Sequence, residues 1–302
     1  MNLTDSVRQW VVASLPYDRG DAKLVAYLNG LDAHAALVVY YNWASRLVPP
    51  QPRTVHKSRA FEQNPLTSQR ASDLALIIAD LEQGRNLKKY LSRDIDRAAV
   101  KVPVDKRRDL DMLLNDWGIH HLHISSVVEA NGFVKRDDHL LLVSFKPDAA
   151  YLIDVMAHRD MTDHKWIRHR LLEVLASEWP HEGVIHEIKT PAAPNQLTEM
   201  QRANLRGNHY NAAFSFGGRT FVPRGLMMAN GTTMEAWLYA RSLLNRVGEV
   251  EKALTENSRG CAAVFERYNS TLPDEPEFAF DIGNDGPAIL EQKTGTWIAL
   301  MV

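Results

Sequence analysis

Over the first 60 residues, apolar positions recur at helical spacing. Residues 6–13 and 21–28 form short periodic pieces and 32–48 a stronger one, the pattern that keeps one face of a helix dry. Pro49, Pro50 and Pro52 end the last run, because proline removes a backbone donor and clashes with the preceding turn. The polar stretch from there to Pro65 reads as a loop. Residues 67–83 carry Leu74, Ile77, Ile78 and Leu81 at three- and four-residue steps, with Gly84 as the stop. Residues 88–97 and 105–115 continue the helical pattern, the second with Leu110, Leu113 and Leu114 on one side.

At Trp117 and Gly118 the period changes from helical to alternating. Residues 119–125, 139–145 and 151–157 read as three antiparallel strands, the last two joined by the turn composition Lys146-Pro147-Asp148. Asp163 is the predicted N-cap of a helix running to Ser177. Residues 190–196, rich in Pro and Ala, form the candidate linker. Beyond it lie a short helix near 197–205, a hairpin turning at Gly217-Gly218, a long helix over 234–268 interrupted near Gly260, and an alternating meander over 277–301. The fold class is therefore α+β: a helical N-terminal region (1–62), a core of central helix plus three-stranded antiparallel sheet (63–189), and a C-terminal α+β domain (197–302).

Composition narrows the function classes. The 302 residues are 45% hydrophobic and 24% charged, with a formal net charge of −2. Such a chain has no global basic field, so a nucleic-acid reader must concentrate its cations locally. Cys261 is the single cysteine, which excludes internal disulfides and cysteine-ligated zinc. Residues 1–15 lack the basic start and unbroken apolar run of a secretory signal. The longest apolar stretch, 35–41, falls short of the roughly 20 residues that span a bilayer. The expectation is a cytoplasmic protein with no membrane association and no cofactor, and with residues 234–268 as either a core helix or a packing face for a protein partner or second copy.

Ten of the twelve histidines fall between His120 and His209. Strand alternation places His121 and His123 on one face and His120 on the other, and puts Leu152, Asp154, Met156 and His158 on a shared face of the third strand. In one sheet, His121, His123, Asp154 and His158 converge. Three readings stay open: hydrogen-bonded histidines of a half-exposed sheet; acid–base catalysis, with Asp154 orienting one ring; and a metal site in which the His-x-His pair is completed by His158 and Asp154. Arg159 follows directly, and His164, Lys165 and Arg168 bring further cations toward a helix start, where backbone amides favour anions such as phosphate.

The run of helix, 118–125, 139–145 and 151–158 resembles the core of the RelE/HigB-type ribonuclease toxins over residues 105–158. The resemblance implies helices followed by a curled antiparallel sheet. It also implies RNA cleavage by attack of the ribose 2′-OH on the neighbouring phosphate. It gives His158 the role of general acid or base, Arg159 the stabilisation of phosphate charge, and His121 and His123 the second proton transfer. RNA is then the expected partner, and the setting that of a toxin or phage-defence effector. This chain departs from that family in its length, its near-neutral charge and the absence of arginine over 140–145.

Overall fold

The computed structural model of the chain describes residues 2–101, 110–158, 167–191, 196–256, 262, 265–267, 270–283 and 285–300. The architecture is α+β, in two compact units. One comprises Met1–Asn42, Ala98–Arg107 and Glu235–Val302; the other comprises Trp43–Arg97 and Arg108–Met234. Among the described residues no helix is long and apolar enough to cross a membrane.

The three predicted N-terminal helices are α1 (Leu3–Ser14), α2 (Ala22–Asn29) and α3 (Ala33–Ala44). Asp21 caps α2 by accepting the Lys23 and Leu24 amides, which satisfies donors the helix itself cannot. The stretch expected to be a loop instead contains β1 (Thr54–Lys57). Four residues with one valine are too short and polar to announce a strand. They pair in parallel with an edge that would otherwise carry open backbone groups. Then come α4 (Arg59–Gln63), α5 (Pro65–Gln69) and α6 (Ala71–Glu82). The predicted helix over 67–83 is thus split at Arg70, which leaves helical geometry (φ −107°, ψ 19°). Residues 88–97 form two 3-10 turns, Lys88–Tyr90 and Arg93–Asp96, because Leu91 between them is extended and Ser92 caps the second.

Asp111 caps α7 (Met112–Trp117), and Gly118 closes it in the left-handed conformation (φ 69°) that glycine adopts without strain. The three expected strands follow as β2 (Ile119–His123), β3 (His139–Phe145) and β4 (Ala149–Ala157). The sheet order is β1-β4-β3-β2, antiparallel except at β1. After α8 (His169–Glu178) and β5 (Ile185–Ile188) come α9 (Glu199–Gly207), β6 (Phe214–Phe216) and β7 (Arg219–Pro223). Asp163, the expected cap of α8, lies outside the described residues. The chain ends with α10 (Met234–Glu256) and the meander β8 (Phe278–Gly283), β9 (Gly286–Glu291) and β10 (Thr296–Ala299).

This division differs from three consecutive domains for a pairing reason. β5, before the Pro/Ala stretch, hydrogen-bonds to β7, after it, in a sheet ordered β5-β7-β6. The predicted linker therefore runs between strands of one sheet. In the other unit, α1 meets β8: the Trp10 indole donates to Asp281 (2.7 Å) and the Phe280 amide to Ser6 Oγ (2.8 Å). Within that unit α10 buries Ala236, Ala240, Leu243 and Val247, and leaves Leu238 exposed.

The histidine-bearing sheet is covered on both faces. Ile119, Leu142, Tyr151 and Ile153 pack with α8 and with Phe214 and Phe221 of the hairpin. Leu122, Leu141, Val143 and Leu152 pack with Leu74, Ile77 and Leu81 of α6. Burial on two sides explains the near-continuous apolar run of β3 and β4. The start of β2 is pinned by a buried ion pair, in which Arg206 of α9 donates to Asp116 (2.7 Å) while its guanidinium lies 4.3 Å over the Trp117 ring.

Candidate functional site

β2 and β3 pair in strict register, with His121 opposite Leu142 and His123 opposite Leu140. Alternation then puts both imidazoles on the face toward α8, as expected. β4 is less regular. Leu142 faces Asp154 but Val143 faces Leu152, so Ile153 is an extra residue in a bulge. The bulge is held: the Ser58 hydroxyl donates to the Ile153 carbonyl (2.6 Å), and the Val155 amide to Asp154 Oδ1 (2.9 Å). It also shifts the phase of the strand. Leu152 packs in the α6 core while Met156 packs against the opposite core, so the four residues expected on one face do not all share it.

The result is a row of three imidazoles. His121 and His123 have ring centroids 6.3 Å apart, and His123 and His158 are 6.5 Å apart with planes inclined by 14°. His123 and His158 open into a cleft of about 700 Å³. His121 sits behind them at a separate cavity of about 30 Å³, where its Nδ1 lies 3.3 Å from Asp111 Oδ2. The other oxygen of Asp111 accepts the Leu114 amide (3.1 Å) as the α7 cap. One carboxylate thus fixes the helix start and faces the first ring of the row.

His123 is 5% exposed. Burial pushes its pKa down to about 3, helped by the charges of His121, Arg136, His158 and Arg93. It is therefore a neutral imidazole at physiological pH. Among the described residues its Nδ1 has no hydrogen-bond partner, a polar atom whose bond a ligand can complete.

The cleft is walled by charges. Arg70 donates to Asp137 (2.6 Å), Asp73 (3.2 Å) and the Ile124 carbonyl (2.8 Å), so its charge is met on the spot. Hydrogen bonds from the Asp138 amide, Arg70 and His139 hold the Asp137 carboxyl below its usual range against the opposing effect of burial. Lys135 and Arg136 are exposed and make no ion pair among the described residues. The backbone carbonyl of Asp138 accepts the His158 amide (2.5 Å), fixing where the last ring leaves the sheet.

Of the other expected site residues, Asp154 is buried and bound by Asn64 (2.6 Å), the Val155 amide and Arg170 (3.2 Å). Among the described residues its partners include no histidine, and burial raises its pKa despite these contacts. The carboxylate beside the histidine row is Asp111, at His121. Arg168 reaches Glu199 (3.4 Å) at the first turn of α9 and does not line the cleft. Arg159, His164 and Lys165 lie outside the described residues. His120 lies on the opposite face: its Nε2 is 3.1 Å from the Ser45 carbonyl, its ring edges onto Phe145, and burial lowers its pKa to about 4. His169 meets Arg202 (3.2 Å) and His209 meets the Ala229 carbonyl (2.8 Å), both as fold-holding contacts.

Sequence reasoning passed over Lys135, Arg136, Arg70 and Asp111. The run Lys135-Arg136-Asp137-Asp138 between two strands carried a readable charge signal. Asp111 lay within the predicted helix 105–115 with no role of its own, and its approach to His121 is a tertiary fact. Among the described residues no group of three or more His, Cys, Asp or Glu side chains is placed to hold a metal ion. Comparison with family models, with curated proteins and with solved structures gave no match.

Proposed function

We propose that this protein is an endoribonuclease that cleaves phosphodiester bonds by histidine acid–base chemistry at the His121–His123–His158 row. The observation that carries the reading is the pair of near-parallel imidazoles, one neutral and buried and one half-buried, at the wall of a cleft that also holds two cations without ion-pair partners among the described residues. In this reaction the ribose 2′-oxygen attacks the adjacent phosphorus and the bond from phosphorus to the 5′-oxygen breaks. The products are a 2′,3′-cyclic phosphate and a 5′-hydroxyl. One group takes the 2′-OH proton and another delivers a proton to the leaving oxygen.

His158, half-buried at the cleft, is assigned as the proton donor. His123, uncharged, is assigned as the acceptor. An anionic phosphodiester beside it favours its protonated form, so its basicity rises when substrate is bound. Asp111 holds His121 behind the pair. Arg159, next in the chain after His158, retains the role of offsetting phosphate charge. On this reading RNA is the partner, and the chain is a toxin- or phage-defence-type effector at work in the cytoplasm.

The test is incubation of unstructured RNA with the protein in excess EDTA, followed by analysis of the termini. Wild type gives 2′,3′-cyclic phosphate ends. His158→Ala and His123→Ala, folded as judged by thermal melting, lose at least about a hundredfold in rate, the usual contribution of one positioned acid or base. Equal cleavage by wild type and His158→Ala would remove the mechanism, and cleavage that requires added divalent metal would replace it with a metal-assisted one.

A further inference from the structure

Between β2 and β3 the chain makes an arm over residues 125–138. Its two sides are joined by a bridge between Val128 and Val134, by the Lys135 amide donating to the Val127 carbonyl (2.7 Å), and by a turn closed from Glu129 to Phe133 (2.8 Å). The arm is anchored at several points. Phe133 and Val134 are buried in the core that also holds α6. The Val134 amide donates to the Lys89 carbonyl (2.9 Å), and Glu129 pairs with Arg93. Asp137 near its end is held by Arg70. A loop tied in this way presents its remaining side chains in fixed positions.

What it presents at the cleft is of two kinds. Val127, at the cleft wall, is 55% exposed, and Val128 beside it is 53% exposed. They lie next to Lys135 and Arg136, the cations with no ion-pair partner among the described residues. An apolar patch beside two cations matches a ligand with a flat, poorly hydrated body next to an anionic group. That is the chemistry of a nucleotide with its base unstacked from a partner strand.

Resting on the ribonuclease reading, we infer that this arm is the substrate grip and that it takes single-stranded RNA, with a base on Val127 and the flanking phosphates on Lys135 and Arg136. The charge inventory of the cleft limits that grip to a short segment. Arg70 is occupied by Asp73 and Asp137, and Asp138 adds a negative charge at the rim. Among the described residues of the cleft, Lys135 and Arg136 remain for phosphate. The arm therefore holds about two phosphates, and bases in a duplex, stacked and paired, present no face to Val127.

The test uses a fluorescent 2′-O-methyl oligoribonucleotide, which binds but has no 2′-OH to attack, as a single strand and as a duplex. The single strand binds more tightly. Its log affinity falls against log salt with a slope of about −1.4, the value for two phosphates on a single strand. Lys135→Ala/Arg136→Ala, both surface changes that leave the melting temperature in place, weakens binding about tenfold or more at low salt and flattens the slope toward zero. Equal binding of the duplex, an unchanged slope in the double variant, or no binding by wild type each overturns the inference. The two proposals fail separately. Binding without cleavage of unmodified RNA removes the nuclease and leaves the grip, whereas cleavage with unaltered affinity in the double variant removes the grip and leaves the nuclease.

Discussion

His123→Leu makes the protein less sensitive to acid. Burial, reinforced by His121, Arg136, His158 and Arg93, lowers the native pKa of His123 from 6.5 to about 3. Between those values the unfolded chain binds a proton at this residue and the native chain does not. Stability therefore rises with pH across that window and is lost as pH falls through it. The full difference of roughly 3.5 units corresponds to about 5 kcal/mol at the acid end, and about 2 kcal/mol of it has developed by about pH 5. Leucine is of similar size, is not charged at any pH, and suits a site that is 5% exposed. Urea unfolding of wild type and His123→Leu at about pH 7.5 and about pH 5 isolates the residue, because carboxylate contributions common to both cancel in the difference. The variant is expected to lose about 2 kcal/mol less than wild type over that interval. If both lose the same, His123 is not a buried neutral imidazole, and its assignment as an uncharged proton acceptor falls with it.

Two further predictions concern the supports of the histidine row. Arg206→Leu leaves Asp116 buried and without its ion-pair partner; a drop of about 3–5 kcal/mol in unfolding free energy is expected, with a large part recovered in Arg206→Leu/Asp116→Leu, and a single-variant drop below about 1 kcal/mol would show that the pair does not anchor α9 to the start of β2. Gly225→Ala places a Cβ 2.5 Å from the Asn115 carbonyl oxygen and 2.7 Å from the Asp116 carbonyl carbon; because both are backbone atoms, the expected cost is about 1–3 kcal/mol in chemical denaturation, and a neutral change would mean that the segment carrying Gly225 moves without resistance.

The parts of this site that were legible in the sequence are those that depend on near neighbours. His121 and His123 share a face because strand side chains alternate, and two positions in one strand suffice to see it. The α10 helix, the Gly217-Gly218 hairpin and the terminal meander were legible for the same reason. β1 was not, because a parallel partner strand is chosen by the edge it covers rather than by its own four residues. The bulge at Ile153 breaks the alternation of β4 in mid-strand and turns Leu152 into the α6 core, whereas Asp154 keeps its register opposite Leu142 and gives its carboxylate to Asn64 and Arg170. A single added residue reverses every inference drawn by counting past it. Protonation is further still from the sequence. His121 and His123 are two residues apart on one face, yet one faces a carboxylate and the other is driven to neutrality, because Asp111 comes from a helix cap and Arg136 from an arm between strands. Spacing can bring imidazoles together, but their division of labour is set by the charges that tertiary packing brings beside each ring.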